Sequence, residues 1–140
     1  MSTTNASQDC ARVRSRSNGA ASDEQADLLQ AARRLYRFRR TRDNLFGPAL
    51  FADPAWDILL ELFIARREGR KATISDVCAA AAAPSSTAAR HIGNLVEKGL
   101  IAKVPREEDA RSFYVELSPA VNRKLGRLFR EMQRSEDDRA

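Results

Sequence analysis

Apolar positions along the chain fall into a few runs, each with one dominant period. Residues 1–21 carry almost no large apolar group. Too little surface can be buried there to offset ordering entropy, so a disordered tail is expected. From Ser22 the pattern becomes helical. Leu28, Leu29, Ala32, Leu35 and Tyr36 recur at helical spacing, while Arg33, Arg34, Arg37 and Arg40 take another side. Ser22 and Gln25 have the spacing of a capping box, and Phe46-Gly47-Pro48 breaks the run. A helix is predicted over residues 22–45. Its stripe is either core or a seam against a second copy, and spacing alone does not separate the two.

A second helix opens at Asp53-Pro54, a side-chain acceptor followed by the residue best suited to a first turn. Trp56, Leu59, Leu60, Phe63 and Ile64 form its expected buried face, the centre of the core. Arg66-Arg67-Glu68-Gly69 closes it. Lys71 to Ile74 reads as a short extended piece, and Ser75 as the cap of a short helix from Asp76 to about Ala81. Ala82-Ala83-Pro84 is a tight link. Ser85 or Ser86 is then expected to cap a helix on which Ala88, Ile92, Leu95 and Val96 share one face, ending at Gly99. The residues pointing elsewhere are polar: Ser86, Thr87, Arg90, His91 and Asn94.

Leu100 to Val104 reads as a strand. Phe113, Val115 and Leu117 alternate with Ser112, Tyr114 and Glu116, a half-buried strand pattern. The polar Pro105–Arg111 segment between them predicts a hairpin with a charged tip. Ser118-Pro119 starts a last helix, with Val121, Leu125, Leu128, Phe129 and Met132 as its stripe. The predicted fold class is mainly α (α+β): a winged helix-turn-helix with a two-stranded wing, flanked by N- and C-terminal helices. Its divisions are the tail (1–21), the N-terminal helix (22–45), the winged domain (46–118) and the C-terminal helix (119–140).

Composition narrows the chemistry. The 140 residues are 43% apolar and 31% charged, with a net charge of +5. Residues 1–45 hold nine arginines against five acids, so most of the excess lies there. A basic balance points weakly to a polyanionic partner. No apolar run approaches the roughly 20 residues of a bilayer span, and the first residues lack the apolar centre of a signal peptide, so a cytoplasmic protein without membrane contact is expected. One histidine and two distant cysteines, Cys10 and Cys78, have no metal-ligand spacing. There is no Gly-rich phosphate loop and no nucleophile–base pair. No enzyme, metal or cofactor is expected.

Two helices joined by a tight turn present the second one to a major groove, and a hairpin placed directly after it can reach the neighbouring minor groove. At this point the chain resembles the winged-helix domain of MarR-family transcription regulators. The likeness rests on Ile74-Ser75-Asp76-Val77-Cys78, Ser86-Thr87-Ala88-Ala89-Arg90 and Leu95-Val96-Glu97-Lys98-Gly99-Leu100-Ile101. Asp109-Ala110-Arg111 at the wing and Val115-Glu116-Leu117-Ser118 after it extend the match, over roughly residues 50–120.

The resemblance implies a DNA-binding bacterial regulator, dimeric through residues 22–45 and 119–140. It puts Arg111 in the minor groove with Asp109 fixing its orientation, and Arg90 on the recognition helix. Ser86 and Thr87 would meet phosphate. Asn94 falls where the family often contacts DNA, and His91 where it usually has an apolar residue. With Ser85 and Arg106 added, the expected DNA-binding set is Ser85, Ser86, Thr87, Arg90, His91, Asn94, Arg106, Asp109 and Arg111. A small-molecule effector is left undefined. The chain departs from the family in its short C-terminal segment and in Glu107 and Glu108, whose charges oppose phosphate at the wing tip. The alternative is a winged helix that docks on protein within a larger complex, without reading DNA.

Overall fold

The computed structural model describes residues 6–109 and 111–139, with side chains from residue 22 onward. Five helices and three strands follow in the order α1 (Ala6–Phe46), α2 (Pro54–Arg67), β1 (Ala72–Thr73), α3 (Ile74–Ala80), α4 (Ser85–Glu97), β2 (Ile101–Pro105), β3 (Phe113–Leu117) and α5 (Pro119–Asp137). The expected class, a winged helix-turn-helix between two flanking helices, is the architecture found. The sheet is antiparallel with strand order β1-β3-β2. Val115 pairs with Ala72 on one side and with Lys103 on the other. The extended piece before α3 is therefore a third strand of the wing sheet.

Helix α1 begins well upstream of the expected start, so Ser22 lies in its interior and caps nothing. The backbone of residues 6–21 is helical rather than a disordered tail, while residues 1–5 of that tail lie outside the described residues. The segment holds no proline, and its Ala, Arg and Gln residues favour helix, so propagation upstream meets little opposition. Downstream, Leu28, Ala31 and Ala32 are buried against the domain, and Leu35 and Tyr36 are half-buried.

Helix α2 starts where Asp53 and Pro54 indicate, with the Asp53 carboxylate accepting from the Trp56 N–H. It then departs from the expected one-sided pattern. Ile58, Leu60, Leu62, Phe63, Ile64 and Ala65 are all buried, whereas Trp56 and Leu59 are only half so. The reason is its place: α2 touches α1, α3, α4 and β3 and has little solvent side. Its Phe63 ring stacks at 5.0 Å on Phe129 of α5, both fully buried. On α5 the stripe is Val121, Leu125 and Phe129, with Met132 half-buried against the core, while Leu128 turns outward.

Two caps differ from expectation. Thr73, not Ser75, caps α3, in a capping box: its side chain accepts from the Asp76 N–H, and Asp76 accepts from the Thr73 N–H at 3.0 Å. The strand ends at Thr73, so the helix starts two residues earlier. Helix α4 has Pro84 at its cap position and no side-chain cap, so neither Ser85 nor Ser86 closes it. Its C-terminus ends as expected. Gly99, at φ +72, donates to the Val96 carbonyl, and Leu100 to that of Leu95. This is a Schellman closure, which needs a left-handed residue.

Candidate nucleic-acid interface

The site is built on α4. Its apolar side, Ala88, Ile92 and Leu95, is buried. Opposite lies an exposed strip at spacings of three and four residues: Ser86, Ala89, Arg90, Gly93, Asn94 and Glu97. Ser85 is exposed at the helix start, while Thr87 and His91, one turn apart, are half-buried along the strip's edge. Ala89 and Gly93 were not foreseen, because small residues carry no chemistry to single them out. They leave the middle of the strip nearly bare of side chain, flanked by the Arg90 guanidinium and the Asn94 carboxamide. Among the described residues Arg90 makes no salt bridge.

The start of α4 is electrically open. The first intrahelical bond there runs from the Ala88 N–H to the Pro84 carbonyl at 2.9 Å. With no side-chain cap, the N–H groups of Ser85, Ser86 and Thr87 face outward at the positive end of the helix. The preceding turn is held from two sides. Ala82 adopts φ +50, a strained conformation for a residue with a Cβ. The Tyr36 hydroxyl donates to the Ala80 carbonyl at 3.1 Å, tying α1 to the end of α3. Burial raises the Tyr36 pKa, so the phenol stays protonated and keeps donating.

At the wing, Asp109 works on the backbone. Its carboxylate accepts from the Arg111 N–H at 3.0 Å and from the Ser112 hydroxyl at 3.2 Å, and its carbonyl accepts from the Ser112 N–H at 3.0 Å. Both carboxylate oxygens of Asp109 therefore serve the turn that carries Arg111. Arg111 is exposed and makes no salt bridge among the described residues. Arg106 is drawn back from the tip. Its guanidinium lies 5.0 Å from the Tyr114 ring centre, and its acid partner, Glu108, stands 3.8 Å away in solvent.

A cleft of about 300 Å³ separates the start of α3 from this wing, lined by Thr73, Ile74, Ser75, Arg106, Arg111, Ser112 and Phe113. Three of those, Thr73, Ser75 and Ser112, are hydroxyl residues outside the expected set. Only strand pairing between β1 and β3 brings them to the two arginines, and no local spacing signals it. Lys71 adds a further cation, its Nζ 5.4 Å from the Tyr114 ring centre.

Among the described residues no three His, Cys, Asp or Glu side chains are placed to hold a metal, and no helix is long and apolar enough to cross a membrane. Cys78 is a half-buried free thiol; the side chain of Cys10 lies outside the described residues.

Residues 52–112 match the model of the MarR family. The match starts just before α2 and ends within the wing, so it includes both helices of the helix-turn-helix. No curated protein matches the chain. Among solved structures, MepR of S. aureus bound to ethidium bromide aligns at 15% identity over 77% of this chain and 79% of that one, with a TM-score of 0.51. MepR described as a transcription regulator of the Staphylococcus aureus multidrug efflux pump MepA aligns at 16% identity over 74% and 76%, with a TM-score of 0.50. A MepR mutant from a multidrug resistant S. aureus clinical isolate aligns at 21% identity over 62% of this chain, with a TM-score of 0.49; there the match spans 64% of that chain, under two thirds of its length. For the two structures with TM-scores of 0.51 and 0.50, the likeness at these identities is one of fold.

Proposed function

We propose that this chain, whose residues 52–112 carry the MarR-family winged helix-turn-helix, is a sequence-reading transcription regulator of duplex DNA. The observation that carries the reading is the α4 strip: polar and small residues outward, apolar residues inward, and an uncapped N-terminus. A helix with a bare centre at Ala89 and Gly93 can lie close to base edges. Arg90 and Asn94 then bring a fork and a carboxamide, the groups that pair with guanine and adenine edges in a major groove. The open N–H groups of Ser85, Ser86 and Thr87 suit a backbone phosphate. Arg111, held out by the Asp109 turn, suits a narrow minor groove, where negative potential is concentrated. The cleft bounded by Ser75, Ser112 and Arg106 suits the phosphates between the two grooves.

Two copies would read two half-sites about one helical turn apart. The exposed apolar side chains that a pairing surface needs are present on the flanking helices: Phe38 and Leu45 on α1, and Leu128 on α5. A groove between α1 and α5 is lined by Ala31, Leu35, Phe38 and Met132, with Arg34, Gln133 and Glu136 at its polar parts.

Selection of bound fragments from random duplex DNA tests this reading. A recovered two-fold symmetric motif with half-sites spaced by about 10 base pairs is expected. Recovery of fragments with no shared sequence, at an affinity equal to that of the starting pool, would refute it.

A further inference from the structure

The carbonyl of Ala80, the last residue of α3, has no donor in its own segment. A continuing helix would bring it the N–H of residue 84, and residue 84 is proline. Among the described residues no backbone N–H reaches it. The donor comes from another helix: the Tyr36 hydroxyl of α1, at 3.1 Å. The Tyr36 ring is itself held. It is half-buried against the core, and the Arg40 guanidinium, one turn further along α1, lies 5.1 Å from its centre. Arg40 in turn is fixed by Asp57 at 2.7 Å and by Asp43 at 3.2 Å. A chain of contacts thus runs from Asp57 at the start of α2, through Arg40 and Tyr36 on α1, to the end of α3.

The turn beyond Ala80 has little else to fix it. Its hydrogen bonds run back into α3, from the Ala81 N–H to Val77 at 3.0 Å and from the Ala82 N–H to Ala79 at 3.4 Å. Among the described residues none joins α3 to α4. Ala82 is strained at φ +50, and α4 starts without a side-chain cap. The angle between the two helices therefore rests on the packing of small apolar residues such as Ala81 and Ala88, which is not directional, and on the one directional bond that Tyr36 supplies.

We propose that Tyr36 is a positioning residue for base reading by α4: its hydroxyl sets the direction in which the turn releases that helix. The role rests on the DNA reading of α4, and Tyr36 acts through the turn rather than by touching DNA. Hydrogen bonds from Arg90 and Asn94 to base edges weaken steeply with distance and angle, so they depend on the pose of α4. Attraction to phosphate is long-ranged and survives a small rotation. Loss of the hydroxyl therefore costs discrimination between sequences while sparing general affinity for duplex.

Tyr36→Phe removes one oxygen and keeps the ring beside Arg40. Binding of the parent and this variant to a selected duplex and to random duplex, at several salt concentrations, tests the role, together with amide hydrogen exchange of the free proteins. On the selected duplex Kd should rise about tenfold. On random duplex it should stay close to the parent's, with the same salt slope. In the free variant, exchange should quicken over residues 81–87 and stay parent-like at Leu125 and Phe129 on α5. A ratio of selected to random affinity equal to the parent's would overturn the role. So would an equal loss on both duplexes with faster exchange throughout, the mark of general destabilisation. A parent that binds both duplexes equally would instead sink the DNA reading, and this role with it.

Discussion

Arg39 donates through Nε to Asp57 Oδ1 at 2.8 Å, and both side chains are buried where α1 crosses the start of α2. The other carboxylate oxygen accepts from Arg40 at 2.7 Å. Arg39 also reaches the Asp53 carbonyl beside the α2 cap. One buried acid thus fixes the long first helix to the winged domain. Replacing Asp57 by Ala leaves the buried Arg39 without its acid partner, while Arg40 keeps Asp43 at 3.2 Å, and a loss of about 3–5 kcal/mol is expected in urea unfolding. Removing Arg39 as well, as Asp57→Leu with Arg39→Met, should restore part of it. Equal stability of Asp57→Ala and the parent would mean that the network contributes nothing.

The α3 capping box gives a pH dependence of definite sign. The Thr73 N–H, and then the Thr73 hydroxyl, hold the Asp76 carboxyl below its ordinary pKa. A depressed carboxylate stabilises above its unfolded pKa, about 3.9, and loses that contribution as pH falls through the folded value. Asp76→Ala should cost about 1 kcal/mol at neutral pH. The gap to the parent should close below the ordinary aspartate range. A gap that stays constant down to acid pH would separate the cap from the charge.

Asp109 serves the wing by shaping its turn. Asp109→Asn retains an oxygen for the Arg111 N–H and is expected to bind DNA close to the parent. Asp109→Ala should weaken binding, with little change in stability because the turn is exposed. If Asp109→Asn bound as poorly as Arg111→Ala, the carboxylate charge, not the turn, would be the acting element.

Gly93 offers a test in which stability and binding move in opposite directions. A Cβ there meets nothing within 4 Å in the free protein. Gly93→Ala should therefore stabilise the helix by about 0.5–1 kcal/mol. The same methyl group would stand between the α4 backbone and DNA, so Tm should rise while affinity falls. Unchanged affinity would take residue 93 out of the contact.

Much of this was legible in the chain because it is local. Asp53-Pro54, Ser118-Pro119 and Gly99 each act within one turn of helix, and each acts as the spacing indicates. The alternation at Phe113, Val115 and Leu117 likewise fixed the β3 strand. What escaped depends on tertiary placement. The Asp57 network joins residues 17 or 18 apart on two helices, and an acid in a helical run reads as solvated until its neighbours are known. Ala89 and Gly93 define the strip by lacking side chains. Arg67 looked like an ordinary cation at a helix end, a role that its contacts with Phe63 and Asn122 replace. Ser22 had the right spacing for a cap, yet nothing upstream stops the helix.

Fluorescence anisotropy of the parent, Arg90→Ala and Arg111→Ala on one selected duplex, at rising salt, tests the DNA face most directly. For the parent, log Kd should change steeply with log salt, by about 0.9 for each phosphate neutralised. Loss of a phosphate contact should reduce the slope by about 1, and loss of a base contact should cost about 1–3 kcal/mol on the selected site alone. Both variants should keep the parent's thermal unfolding. Parent-like affinity and slope in both, on selected and random duplex alike, would contradict the assignment of α4 and the wing to DNA.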